Sequence, residues 1–216
     1  RKLRKQHERH NVFRVIPETT TTGVAFVLGN GISRSSIELE NLKQFGKIYG
    51  CNAIYRDFSP DYLVAVDTKM IKELTSIDYH LTTPVWTNTN RHTREIKELN
   101  LFNPNLGWSS GPSALNLSSI HNNTTIYILG FDYKGIGSQQ ELVNNVYAGS
   151  PNYKKKNEKA TYFGNWTKQT AMCIKKYPTI KYIRVIEHSK SFIPDSLTNL
   201  HNLTHITIEN FNKRFS

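Results

Sequence analysis

The sequence predicts an α/β fold in which a mostly parallel sheet carries helices on both faces. Three observations predict it. Short contiguous apolar runs, such as Val24-Ala25-Phe26-Val27-Leu28 and Thr125-Ile126-Tyr127-Ile128-Leu129, have the character of strands buried on both sides. Segments with helical spacing alternate with those runs. Finally, both runs empty into glycine and polar residues, as strands do at the ligand-binding edge of an open α/β sheet.

The elements follow in order. Residues 1–22 show no apolar period and end in Thr19, Thr20, Thr21 and Thr22, so they read as an arm leading into one domain of residues 23–216. The first strand is 24–28. In residues 33–45, Ile37, Leu39 and Leu42 stand at near-helical spacing, and Ser35 or Ser36 with Glu38 and Glu40 favours a helix start. A second strand covers 47–51 and a third 62–66, where Leu63, Val64, Ala65 and Val66 are contiguous. Residues 70–75 read as a short helix and 84–87 as a fourth strand. Ser110-Gly111-Pro112-Ser113 opens a helix over 110–120, since proline is favoured in the first turn. The central strand is 125–131, and a helix over 165–176 is closed by Tyr177-Pro178. Residues 181–186 and 204–208 read as strands, and 194–200 and 209–215 as helices. Residues 134–160 are rich in Gly, Gln, Asn, Tyr and Lys and have little period. A segment of that length beginning at a strand end reads as a lid of about residues 134–163.

Composition narrows the classes. Hydrophobic residues make up 38% of the 216, and no apolar run approaches the ~20 residues of a membrane span. No apolar core follows the basic N-terminus, so no secretory signal is expected. Cys51 and Cys173 belong to no metal-ligand or CxxC spacing, so they read as buried reduced thiols, no metal site is expected, and the setting is a reducing cytoplasm. Asn116-Leu117-Ser118 and Asn202-Leu203-Thr204 then read as chance matches to a glycosylation triplet. Lys and Arg total 28 against 17 Asp and Glu, a net charge of +11. The excess is concentrated in the arm (Arg1, Lys2, Arg4, Lys5, Arg9, Arg14) and in Lys154, Lys155, Lys156 and Lys159. Such charge serves nucleic acid, a phosphorylated ligand or a membrane surface, or is simply solvated. No nucleic-acid recognition motif accompanies it. The histidines are scattered: His7 and His10 lie in the arm, and His80, His92 and His121 read as exposed.

The candidate site gathers at strand ends. Gly29-Asn30-Gly31, followed by Ser33, is a strand-to-helix turn whose glycines let a backbone approach a ligand and whose helix start offers N–H groups to an anion. It also reads as a plain turn, for it lacks the third glycine of a dinucleotide fingerprint and the lysine of a phosphate-binding loop. Asn52 closes the second strand, and Asp67 and Lys69 follow the third. Gly130 and Asp132 end the central strand. That acid suits a ribose hydroxyl, the orientation of a base or a turn cap. Ser110 and Gly111 add a hydroxyl and a helix N-terminus. Tyr147, Tyr153, Tyr162, Trp166 and Lys154 bracket the lid, suited either to a base and phosphates or to packing the loop down.

In sequence order, Leu28-Gly29-Asn30-Gly31-Ile32-Ser33, Cys51-Asn52, Ser110-Gly111 and Leu129-Gly130-Phe131-Asp132 resemble the bacterial family-42 sialyltransferases. More loosely they resemble the archaeal pterin pyrophosphokinase-like (MptE-like) proteins and small proteins of marine phage and metagenomic sequence. The resemblance runs over about residues 24–186. It implies a Rossmann-like, metal-independent glycosyltransferase fold with a cytidine-monophosphate sugar or other nucleotide as ligand and no bound cofactor. Asn30 and Asn52 match asparagines that hold the donor, Ser110 a donor-contacting hydroxyl and Asp132 a residue near the ribose and base. Two positions depart. Asn165, in Tyr162-Phe163-Gly164-Asn165, stands where the family has its catalytic histidine, and an amide takes no proton from an acceptor. Lys134 stands where the family has a tyrosine. The expectation is a nucleotide or nucleotide-sugar binder on a glycosyltransferase-like fold whose catalysis the resemblance leaves open; as an enzyme it would need Asp67, Asp132 or a lid group in place of the missing base. Two alternatives stand beside it: a polyanion-binding protein on the same scaffold, acting through the arm, and a Mg²⁺-dependent phosphotransferase with Asp67 and Asp132 as ligands.

Overall fold

A computed structural model describes residues 23–216; the basic arm, with His7 and His10, lies outside the described residues. Eight strands form one sheet: β1 Val24–Leu28, β2 Lys47–Cys51, β3 Tyr62–Val64, β4 Val85–Thr87, β5 Asn100–Leu101, β6 Thr125–Leu129, β7 Lys181–Ile186 and β8 Leu203–Thr207. Their order is β5-β4-β3-β2-β1-β6-β7-β8, and every neighbouring pair is parallel. The fold is therefore α/β and Rossmann-like. The chain winds outward from β1 to β5, returns to β6 beside β1, and winds the other way to β8.

The helices are α1 Leu39–Leu42, α2 Thr68–Ser76, α3 Tyr79–Thr82, α4 Ser110–Ile120, α5 Gly164–Lys176 and α6 Ile208–Phe215. Right-handed crossovers that progress in opposite directions put their helices on opposite faces of the sheet. Strand pleating serves both faces. Ala25, Val27, Tyr49, Cys51, Ile126 and Ile128 pack with α4 and α5. Phe26, Leu28, Ile48, Leu63, Tyr127 and Leu129 pack with α1, α2 and α6. Phe211 and Phe215, one turn apart on α6, set their edges against Phe26 and Tyr127. Burial on both faces is why these strands are apolar throughout rather than alternating.

Several elements differ from expectation, each for a local reason. The helix expected over 33–45 is broken into a 3-10 turn, Ile32–Ser36, and the single turn α1. Ile37 and Glu38 between them are extended, because Ser33 and Arg34 are held by distant partners described below. β3 stops at Val64, since the Val66 N–H turns to Ser110 Oγ at 3.1 Å. β6 stops at Leu129, because Gly130 turns the chain at φ +69°. Only the 3-10 turn Asp195–Leu197 forms within 194–200. The two-residue β5 and the short α3 carry no pattern long enough to read. His121 is buried and His80 half-buried rather than exposed. Among the described residues, no helix is long and apolar enough to cross a membrane.

Candidate functional site

Strand order reverses between β1 and β6, so the natural crevice lies beyond the carboxyl ends of those strands. A cavity of about 520 Å³ opens at that edge, a size typical of small-molecule sites. Its two sides are built differently.

One side is the seam between the tails of β1 and β6. Gly29 N–H donates to Leu129 O at 2.8 Å and Gly31 N–H to Gly130 O at 2.9 Å, carrying the ladder past both strand ends. The approach is close enough to require glycine. A Cβ on Gly29 would stand 2.6 Å from Gly130 O, and one on Gly31 would stand 2.5 Å from Asp132 Cγ. The Asp132 carboxylate accepts Ser33 N–H at 3.1 Å, Asn144 Nδ2 at 3.0 Å and the Ser33 hydroxyl. Asn144 Oδ1 in turn accepts Ile32 N–H at 2.8 Å. The N–H groups that this turn was expected to offer an anion are thus taken by the protein itself. Asn30 is occupied too: its Nδ2 donates to Cys51 O at 3.0 Å and its Oδ1 accepts from Arg34 at 3.3 Å.

Two buried arginines brace this seam, neither on a carboxylate directly. Arg34 also donates to Tyr147 Oη at 3.1 Å, and that hydroxyl donates to Asp57. Arg184, on β7, donates to Phe131 O at 2.9 Å and to Asp132 O at 3.3 Å. Burial pushes the Arg184 guanidinium pKa down, and neighbouring Tyr133 and then Asp132 partly offset that cost.

The other side is the wall made by the ends of β2 and β3 and the start of α4. Asn52 is left-handed at φ +52°, a conformation that asparagine tolerates. Its Oδ1 accepts from Ser110 Oγ at 2.9 Å, and Nδ2 takes no partner among the described residues. No side chain caps α4, and the N–H groups of Ser110 and Gly111 take no partner among the described residues. The positive end of the helix dipole therefore faces the cavity. Asp67 caps α2 through Lys69 N–H at 2.8 Å, and the Lys69 ammonium forms no ion pair among the described residues.

The segment expected as a lid is an ordered strap. Leu142 bridges Ile136 and Lys159. Val146 N–H donates to Asn30 O at 2.9 Å, and Ala53 N–H donates to Tyr153 Oη at 3.3 Å. Arg56 and Asn152 share Glu73, which ties the strap to α2. Burial pushes the Tyr153 phenol up to about 12. Past the strap, Phe163 and Trp166 meet edge to face at 5.4 Å and line the cavity with Phe131.

The structure brings most of the expected residues to this one cavity: Gly29, Asn30, Gly31, Asn52, Asp67 and Ser110, together with Gly111, Gly130, Asp132, Lys134, Tyr153 and Lys154. Three are not on its lining. Ser33 is buried under Asp132, Tyr162 is 80% exposed, and Asn165 is exposed on the first turn of α5. Lys134 is paired with Glu187 at 3.0 Å. Asn144, Arg34 and Arg184 were not expected, and each acts through partners distant in sequence. In comparisons with known proteins, the chain finds no match among family models, curated proteins or solved structures.

Proposed function

We propose that the chain binds a nucleotide or nucleotide sugar in this cavity and works as a metal-independent glycosyl transferase. One observation carries the reading: the uncapped start of α4, the Asn52 amide and the Lys69 ammonium share a cavity with the aromatic side chains of Phe131, Phe163 and Trp166. Free N–H groups and an ammonium suit a phosphate. Aromatic faces suit a base or sugar, and Asn145 and Asn152 suit hydroxyls. Two buried, unpaired cysteines fit work in a reducing cytoplasm.

The Mg²⁺-dependent alternative asks Asp132 to share a cation with Asp67, but the two Asp132 oxygens already accept three donors. That favours the nucleotide-sugar reading. The polyanion reading rests on the basic arm, which lies outside the described residues, and predicts binding that weakens steeply with salt and is lost without residues 1–14.

Thermal unfolding with cytidine monophosphate, other mononucleotides and their sugar derivatives separates these readings. At ~100 times Kd a ligand adds about 2.7 kcal/mol, a rise of about 5–10 °C in Tm for a domain of this size. If no nucleotide raises Tm while single-stranded nucleic acid does so at low salt only, the proposal fails.

A further inference from the structure

Resting on the nucleotide-sugar reading, we infer that Asp67 is the proton acceptor of the transfer, the role that Asn165 cannot fill. The other ionisable groups on the cavity wall are committed or unsuited. Asp132 accepts three donors within the seam. Lys134 is held by Glu187. Burial pushes the Cys51 thiol and the Tyr153 phenol each up to about 12 and the Tyr133 phenol, whose hydroxyl is bonded to Thr170, up as well. Lys69 and Lys154 are cations with no lone pair to offer. Asp67 keeps one carboxylate oxygen without a partner among the described residues, while the other receives Lys69 N–H.

Its position matches the task. Asp67 follows Val66, whose N–H donates to Ser110 Oγ at 3.1 Å, so the carboxylate and the open start of α4 belong to one wall. A donor phosphate at α4 sets the anomeric carbon beside Asp67. The acceptor hydroxyl, or water in its place, gives its proton to Asp67, and its oxygen bonds to the anomeric carbon. The bond from that carbon to the phosphate oxygen breaks, and the electron pair leaves with the nucleotide. Asp67 then releases the proton to solvent, to which it is open.

The cap role and the base role separate cleanly, because asparagine and serine cap a helix about as well as aspartate and neither is a base at neutral pH. The test uses the chain of 216 residues with cytidine-monophosphate N-acetylneuraminate, UDP-glucose and GDP-mannose, reading nucleotide release alongside the Tm shift given by cytidine monophosphate. Asp67→Asn and Asp67→Ser are expected to keep the wild-type Tm and nucleotide shift while release falls at least ~10²-fold. Release within threefold of wild type in either variant overturns the inference. So does nucleotide binding by the wild type with no release from any donor, and in that case the binding proposal stands. Absence of any nucleotide shift in the wild type instead overturns the binding proposal itself.

Discussion

The seam between β1 and β6 and the wall between β3 and α4 share one cavity, yet they spend their polar groups in opposite ways. On the seam, donors and acceptors meet one another: Gly31 N–H finds Gly130 O, Ser33 and Asn144 converge on Asp132, and Asn30 is held at both ends. On the wall, the first N–H groups of α4, the Asn52 amide nitrogen, the Lys69 ammonium and one oxygen of Asp67 all face the cavity without a partner among the described residues. Satisfied groups hold a fold, whereas unsatisfied groups at a cavity are open to a ligand, the donors to its phosphate and the Asp67 oxygen to a proton. The glycine-rich turn, the most conspicuous motif in the chain, belongs to the first kind.

The largest expected effect breaks the seam. In Gly31→Ala the backbone is acceptable, with φ at −63°, but the new Cβ meets Asp132 Cγ at 2.5 Å and Gly130 O at 2.7 Å. Neither neighbour is free to give, because Asp132 carries three hydrogen bonds and Gly130 O accepts from Gly31 itself. A loss of ~3 kcal/mol or more is expected, read as a drop in Tm of about 6–12 °C. A Tm within about 2 °C of wild type breaks the comparison, since the seam would then be loose.

A second effect of similar size sits at the far end of α4. His121 follows α4, with Nδ1 at 2.7 Å from Tyr49 Oη and Nε2 buried without a partner among the described residues. Burial pushes its pKa down from 6.5 to about 4. A depressed histidine pKa means that the unfolded chain binds the proton first. The stabilisation is therefore complete above pH 6.5 and is lost as pH falls toward 4, by about 3 kcal/mol. Denaturation at pH 7.5, 5.5 and 4.5 should show this slope in the wild type, and His121→Gln should lack that part of it. An equal slope in both proteins refutes the assignment. The two ends of α4 then divide as the cavity does, one sealed and one open.

How much of this was legible depends on the range of the interaction. The strands were legible because an apolar run buried on both faces is a local property: Val24–Leu28 and Lys181–Ile186 form as their side chains dictate. The helix expected over 33–45 failed because the period of Ile37, Leu39 and Leu42 records burial alone. Ser33 is set by Asp132, 99 residues away, and Arg34 by Tyr147, 113 away. Asn144 is one of many asparagines in an aperiodic segment until the fold sets it between Asp132 and Ile32. The wall was legible as strand ends and a helix start, yet which N–H groups stay open follows only from the partners that three dimensions supply.

The smallest effect on stability sharpens the comparison most. Asn52→Gly removes the amide, and glycine accommodates the left-handed backbone at φ +52°. One hydrogen bond is lost, that from Ser110 Oγ to Asn52 Oδ1, while Ser110 Oγ still accepts Val66 N–H. The net cost is about 1 kcal/mol, a fall in Tm of about 2–4 °C. Binding should suffer far more, because the variant loses both the donor aimed at the phosphate and the group that orients Ser110 at the start of α4. The Tm rise given by cytidine monophosphate should fall by at least half at equal concentration. A variant that keeps the full rise shows that the nucleotide is held by the seam, and the division between a structural side and a binding side of the cavity is then wrong.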